Sequence, residues 1–412
     1  MWEKLFDQML NTVFQTGCIK VTFPSGRVED YGDGSGTPVE ITIHTKRALR
    51  RIILNPELCA GEAYMDETLT IKDDDLGGFV AIVIKNINKQ NLTRWQRILG
   101  PLRTFKRRLT QMNRIGVAQR NVAHHYDLSG ELYDLFLDED KQYSCGYFRS
   151  PADSLETAQA QKKAHIAGKL LIEPGMKVLD IGCGWGGMAL TLARDYGAQV
   201  IGVTLSQEQH KVACARAKAV GLEDRVEFRL QDYRLVPETF DRIVSVGMFE
   251  HVGVPHYDEY FRHINDRLVD DGIALIHTIG AVTPPKFTNP WILKYIFPGG
   301  YIPSLSEAAE PIQNQGLYPT DIEIWRLHYA ETLRHWNARF MANIDKARAL
   351  YDDRFCRMWR WYLVASEMTF RHYKQCVFQF QLAKRQDAVP LTRDYLYPAA
   401  SHSSDRMEHA AE

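Results

Sequence analysis

The chain has 412 residues, 45% of them hydrophobic and 25% charged, with a formal net charge of −1. That balance excludes a disordered chain and gives no global electrostatic case for nucleic acid, and no apolar run approaches the roughly 20 residues of a membrane span. Seven scattered cysteines form neither a paired zinc spacing nor a disulfide framework, so no metal ligand set is expected and a reducing cytoplasm fits the composition.

Residues 1–93 read as a first unit. The stretch 1–16 carries acids and no small-residue cleavage site, so no signal peptide is read. Residues 18–23 and 39–44 alternate at the strand period. The run Gly32-Asp33-Gly34-Ser35-Gly36 between them predicts a hairpin. Residues 48–55 and 76–87 read as helices, with Gly61-Glu62-Ala63-Tyr64-Met65-Asp66 between them. The unit is expected to be a small α+β accessory domain without catalytic groups.

Residues 94–121 read as a basic linker. Arg94, Arg97, Arg103, Lys106, Arg107, Arg108, Arg114 and Arg120 occur with no acid among them, interleaved with Trp95, Ile98, Leu99, Leu102, Phe105 and Leu109. One reading is a solvated linker whose long side chains snorkel. The other is a basic amphipathic segment lying against anionic lipid.

Residues 122–387 read as the main domain. Its centre is Val178-Leu179-Asp180-Ile181-Gly182-Cys183-Gly184-Trp185-Gly186-Gly187, where an apolar strand ends in glycines and a helical pattern follows at once. Such a turn brings the backbone close to a ligand and presents free N–H groups at the helix start. Strands at 177–182, 199–205, 226–231, 241–247 and 272–279 alternate with helix-length segments. That order predicts a doubly wound, mostly parallel α/β sheet. Ligands bind at the carboxyl ends of such strands, where Gly182, Thr204, Asp232, residues 247–250 and His277 all fall. Residues 281–318, rich in proline and aromatics, break the alternation and read as a lid over those ends. A strand at 321–327, helices at 329–345 and 352–373, and a last strand at 377–382 follow; 388–412 read as an irregular tail.

The Asp-x-Gly-x-Gly-x-Gly turn resembles the glycine motif of class I S-adenosylmethionine-dependent methyltransferases. It stands with His125-Tyr126-Asp127-Leu128-Ser129, Gln142-Tyr143-Ser144-Cys145, Gly202-Val203-Thr204-Leu205-Ser206, residues 241–253, His277-Thr278-Ile279-Gly280 and Tyr295-Ile296-Phe297-Pro298-Gly299-Gly300. The combination resembles the cyclopropane-fatty-acyl-phospholipid synthases over about 120–385, and more loosely over the first unit.

The resemblance implies a Rossmann-like methyltransferase domain behind a lipid-binding N-terminal domain. It implies transfer of a carbon from S-adenosylmethionine across a cis double bond of a phospholipid acyl chain, closing a cyclopropane, with bound bicarbonate as base. The bicarbonate cage maps onto Cys145, Glu250, His277, Ile279 and Tyr329, with Glu250 and His277 orienting the anion, Tyr329 giving its hydroxyl, and Cys145 and Ile279 giving mainly backbone groups. Cofactor contacts map onto Tyr143, Ser144, Gly182, Gly184, Thr204, Gln209, Asp232 and Tyr233. Thr204 and Gln209 take the place of the acid that often follows the second strand. The implied setting is peripheral, at the inner face of the membrane, with a homodimer as the relatives' state. One departure is Ser366, where relatives often have cysteine; it is expected to be tolerated.

Each residue also has a plainer reading alone: Glu250 as a solvated acid at a strand end, His277 as a satisfied core histidine, Tyr329 as packing. Their combination outweighs these. Rival functions are a related enzyme leaving a methylene or methyl branch, a small-molecule N-methyltransferase, and a lipid-binding protein without activity.

Overall fold

The computed structural model describes residues 1–89 and 130–397; the basic stretch 94–121, the motif His125-Tyr126-Asp127-Leu128-Ser129 and residues 398–412 lie outside the described residues. The first unit runs α1 (Trp2–Val13), β1 (Cys18–Thr22), β2 (Val28–Gly32), β3 (Val39–Ile43), α2 (Lys46–Leu54), α3 (Pro56–Met65), β4 (Leu69–Ile71) and α4 (Leu76–Lys89). Its sheet has the order β2-β1-β3-β4.

The hairpin differs from expectation. β1 pairs antiparallel with β2, Ile19 opposite Tyr31, and parallel with β3, Ile19 opposite Val39. The turn lies at 23–27, closed by Phe23 N–H donating to Arg27 O at 2.8 Å. β2 is an edge strand in which only Tyr31 is buried, so Val28-Glu29-Asp30 gave no apolar alternation to read. Phe6 and Leu10 of α1, Ile19, Val21, Ile41 and Ile43 of the sheet, and Leu49 and Ile52 of α2 form one core. That core also takes in Val364 and Trp361, from the helix Asp353–His372, so the two units share a packed boundary.

The main domain holds seven strands: β5 (Lys177–Ile181), β6 (Gln199–Thr204), β7 (Val226–Leu230), β8 (Phe240–Val246), β9 (Leu268–Ala281), β10 (Tyr318–Trp325) and β11 (Gln375–Ala383). Their order is β10-β11-β9-β8-β5-β6-β7. The run β7 to β9 is parallel, and β11 and β10 complete the sheet antiparallel. The central strands β5 and β8 are covered on both faces and read as apolar runs, whereas the edge strand β7 alternates buried and exposed residues. Helices Leu155–Leu170, Gly187–Tyr196, Gln207–Ala219 and Tyr257–Arg267 flank them. β5 lies between β6 and β8, so the winding direction reverses there and opens a crevice at the strands' carboxyl ends.

The insert 281–318 contains helices Pro290–Tyr295 and Leu305–Asn314. Trp291 is buried, and the Tyr301 N–H donates to Glu250 O at 2.9 Å, so the insert sits against the turn that follows β8. Its first helix is tied to α3. Glu62, 2% exposed, accepts from Lys294 Nζ at 2.6 Å and Tyr295 OH at 2.8 Å, and pairs with Arg51. Burial pushes the Glu62 carboxyl up, but these partners together hold it below the usual carboxylate range.

The expected helix 329–345 is divided at Asn343 into His328–Ala342 and Ile344–Leu350. The start of the tail is docked rather than ragged. Val389 is buried, Gln381 Nε2 donates to Tyr395 OH at 2.9 Å, and Arg393 pairs with Asp321.

Candidate active site

The crevice at the carboxyl ends of β5, β6, β7 and β8 is a pocket, and each of those strands supplies part of its wall. Gly182 and Gly184 follow β5, Thr204 ends β6, Asp232 and Tyr233 follow β7, and Met248 and His251 follow β8; Tyr143 and Ser144 come from the segment before the helix Leu155–Leu170. All eight residues expected to contact the cofactor line this one pocket. Gly182 sits at φ +79°, a region that disfavours side chains. At Gly187 a Cβ would fall 2.2 Å from Gln142 Nε2 and 2.5 Å from Asp140 Oδ2, so a side chain there would have to displace groups that Lys162 and Lys163 hold.

The pocket's polar groups are held from behind. Lys162 is fully buried and donates to Gln142 Oε1 at 2.6 Å and to Ser144 Oγ at 2.8 Å. Burial lowers its pKa to about 8. Thr204 Oγ1 donates to Gln209 Oε1 at 2.9 Å, which leaves the Gln209 amide N–H groups as donors where related folds place an acid. Asp232 is fixed by Arg234, whose backbone N–H, Nε and Nη2 reach its carboxylate at 3.0, 2.9 and 2.7 Å. Tyr143 OH lies 2.9 Å from Tyr362 OH, joining the pocket wall to the helix Asp353–His372.

Sequence reasoning missed three residues here. Asp180, the last acid before the glycines, lines the pocket and is 2% exposed, and its Oδ2 has no partner among the described residues. Burial raises its pKa to about 7, with nearby Lys162 and the Ala189 backbone N–H pulling the other way. His251 also lines the pocket, and burial lowers its pKa to about 4, so it is neutral at pH 7. Lys162 is the third. The acid position in the glycine motif was a usable signal for Asp180, and His251 lies within the 241–253 motif; Lys162 carried none.

None of the five residues of the expected cage lines this pocket, although Cys145 and Glu250 neighbour residues that do. Glu250 stands in the short turn Phe249–His251, between the pocket residues Met248 and His251. Its Oε1 accepts from the Ile279 N–H at 2.6 Å, while Oε2 is buried with no partner among the described residues. Burial pushes its pKa up to about 7. The Ile279 amide, expected to face an anion, is therefore engaged by Glu250.

His277 and Ile279 alternate on β9 and so project to one face of the sheet. His277 Nδ1 lies 3.1 Å from Nε2 of Gln379, its partner across β11, and an edge-on Trp325 ring lies 5.1 Å away. Burial holds His277 neutral, well below the usual imidazole range. Cys145 is fully buried, its Sγ 3.3 Å from Gly146 O, and burial pushes the thiol up, which makes it a poor nucleophile. Tyr329 lies in the helix His328–Ala342, 4.9 Å from the Phe370 ring. Cys145 and Tyr329 belong to one aromatic-rich core with Tyr133, Phe136, Trp336 and Trp359, and Tyr143 and Ile279 pack against it. The chain thus interleaves the two sets: Tyr143 and Ser144 line the pocket with Cys145 next in the chain, and Met248 and His251 flank Glu250. Ser366 is half-buried on the helix Asp353–His372 and does not line the pocket.

Comparison with known proteins agrees with this geometry. The family model described as mycolic acid cyclopropane synthetase matches residues 114–380, and a domain of unknown function matches residues 5–93. The chain is 39% identical to the cyclopropane-fatty-acyl-phospholipid synthase of Escherichia coli over 337 residues, 81% of this chain and 85% of that one. It is 36% identical to the tuberculostearic acid methyltransferase of Mycobacterium tuberculosis over 379 residues, 86% of this chain and 87% of that one. Among solved structures, a mycolic acid cyclopropane synthase complexed with SAH and CTAB superposes with a TM-score of 0.61 at 34% identity, covering 64% of this chain and 97% of that one. With a glycine-turn pocket on a seven-stranded sheet and these matches across both units, the chain belongs to the cyclopropane synthetase family of class I S-adenosylmethionine-dependent methyltransferases.

Proposed function

We propose that this enzyme converts cis double bonds in the acyl chains of membrane phospholipids to cyclopropanes, with bicarbonate as the base. The observation that carries the reading is Glu250: a buried carboxyl with one oxygen pinned by the Ile279 N–H and the other without a partner among the described residues, next in the chain to His251 of the glycine pocket. A solvated surface acid would need neither the burial nor the anchor.

The pocket fits S-adenosylmethionine. Asp180 and Asp232 offer carboxylates, Gln209 offers amide donors, and the Gly182–Gly184 turn lets a ligand lie against the backbone. When bound there, the cofactor supplies a sulfonium-activated carbon. The chain's own task is to hold the alkene in line with that carbon, since an alkene is a weak nucleophile. The aromatic core around Tyr133, Phe136, Tyr329, Trp336 and Trp359 forms the dry wall this needs. Ring faces there also stabilise the positive charge that develops on the acyl chain.

Ring closure requires a proton to leave the transferred carbon. Glu250, His277 and Tyr329 would hold the proton acceptor, and the donor set fits a small oxyanion. The carboxyl, raised to about 7, carries a proton part of the time, and His277 is neutral, so neither group presents a fixed charge that would repel or trap the anion. Bicarbonate bound there supplies the base.

We also assign the 281–318 insert as a lid and residues 1–93 as the lipid-engaging domain, acting as a homodimer from the cytoplasmic face. No helix among the described residues is long and apolar enough to cross a membrane, so contact with the bilayer is peripheral in this reading. The likeness to a tuberculostearic acid methyltransferase keeps a second product in view, a methyl-branched chain arising from the same cation. Incubation with S-adenosylmethionine and vesicles of cis-monounsaturated phospholipid, with and without bicarbonate, tests the proposal. A ring product whose rate falls when bicarbonate is removed supports it, and a branched product or a bicarbonate-independent rate refutes the corresponding part.

A further inference from the structure

The geometry points to a docking face for anionic phospholipid on the N-terminal unit, built by Trp2 of α1 and Lys46, Arg47 and Arg50 of α2. It rests on the reading that the substrate is a bilayer lipid, and it places one membrane contact outside the catalytic domain.

α2 is capped by Thr45, whose Oγ1 accepts from the Ala48 N–H at 3.1 Å. Ala48, Leu49 and Ile52 are buried in the domain core, which turns Lys46, Arg47 and Arg50 outward. These three, with Arg51 and Trp2, line one shallow depression, and the Arg50 guanidinium lies 5.9 Å from the Trp2 ring centroid.

Neither acid of α1 pairs with these cations. Glu3 accepts from Ser25 N–H and Oγ at 3.1 and 2.8 Å, and Asp7 accepts from Tyr31 OH at 2.6 Å and lies 3.6 Å from Arg27. Among the described residues, Lys46, Arg47 and Arg50 have no ion pair. Arg51 is different, since it is bound to the buried Glu62.

Apolar residues extend the same face. Leu5, 43% exposed, lies one turn from Trp2, and Leu54, 67% exposed, lies one turn from Arg50. Unpaired cations beside an indole and exposed leucines match a headgroup interface, where cations meet phosphate, the indole sits at headgroup level and aliphatic tips enter the acyl boundary. A plain nucleic-acid surface would not need the leucines. The patch is local, since the chain as a whole carries a net charge of −1.

Each cation near an anionic surface is worth about 1 kcal/mol, so removing three should weaken vesicle binding roughly 10²-fold. The test uses the full chain and vesicles of saturated phosphatidylglycerol above their melting temperature, which contain no double bond. Binding is thus read apart from turnover. Three proteins are compared: wild type, the triple variant Lys46→Gln, Arg47→Gln, Arg50→Gln, and the charge-keeping variant Arg47→Lys, Arg50→Lys. Calorimetry of S-adenosylmethionine binding confirms that each is folded. The expected result is wild-type preference for phosphatidylglycerol over phosphatidylcholine that weakens with salt, its loss in the glutamine variant, and its retention in the lysine variant. Equal phosphatidylglycerol binding by wild type and the glutamine variant overturns the docking face, as does loss of binding in the lysine variant. Turnover of unsaturated phospholipid dispersed in detergent is measured alongside. If no protein converts that lipid while the binding difference persists, the catalytic reading fails and the docking face stands.

Discussion

Glu250→Gln separates the two halves of the site. Glutamine keeps the length and shape of the side chain and keeps Oε1 as acceptor for the Ile279 N–H, now 2.6 Å away. It replaces the buried, unpartnered Oε2 with an amide that donates and does not titrate. Because burial already brings the carboxyl toward its neutral form, with a pKa of about 7, the exchange should alter folding stability by less than about 1 kcal/mol. Glu250 is absent from the residues lining the cofactor pocket, so S-adenosylmethionine should bind within about twofold of wild type. Turnover should fall by about 10²–10⁴-fold, the usual weight of a group serving proton transfer. That is about 3–5 kcal/mol of barrier. Calorimetry gives the first quantity and initial rates on unsaturated vesicles give the second. Near-wild-type turnover with normal cofactor affinity would refute the assignment of Glu250 to the base.

Three further outcomes are expected. Asp180 titrates near pH 7 in the free pocket, and a cationic ligand favours its ionised form; affinity for S-adenosylmethionine should therefore be flat above that pH and fall about tenfold per unit below it, with protons released on binding. Asp180→Asn should abolish that slope in calorimetry, and a wild-type affinity independent of pH between about 5.5 and 8 would contradict it. Glu62→Ala should loosen the tie between α3 and the insert helix Pro290–Tyr295 by about 1–3 kcal/mol, less than for a wholly buried pair because Lys294 and Arg51 are half-exposed; faster hydrogen exchange in that helix checks it, and unchanged exchange refutes it. Neutralising Arg103, Lys106, Arg107 and Arg108 together should weaken binding to anionic vesicles in a salt-sensitive way, whereas equal binding by both proteins would leave the stretch a plain linker.

The sheet was legible because its central parallel strands are covered on both faces. Val178-Leu179-Asp180-Ile181 and 241–247 read as apolar runs that stop at glycines or acids, and these stops are the pocket. The first unit was less legible. β2 is an acid-rich edge strand, so the Gly32–Gly36 run carries the stronger turn signal although the hairpin turn lies at 23–27. α3 buries Cys59 and then the unbroken run Gly61, Glu62, Ala63, Tyr64 and Met65, which leaves no one-sided helical period to see. Glu62 owes its role to Lys294 and Tyr295, far along the chain, and no local pattern announces such a partner. Lys162 was missed for the same reason: its partners Gln142 and Ser144 are set by folding and not by local pattern. The eight residues expected at the cofactor, by contrast, all line one pocket, because strand ends of a doubly wound sheet converge whatever loops join them.

The most direct test of the central claim is mass spectrometry of lipid recovered after incubation with S-adenosylmethionine, bicarbonate and vesicles of cis-monounsaturated phospholipid. The account predicts acyl chains heavier by one CH₂ that carry a saturated ring at the former double bond. Acyl chains bearing a methylene or methyl branch, or lipid left unchanged by protein that still binds the cofactor, would contradict it.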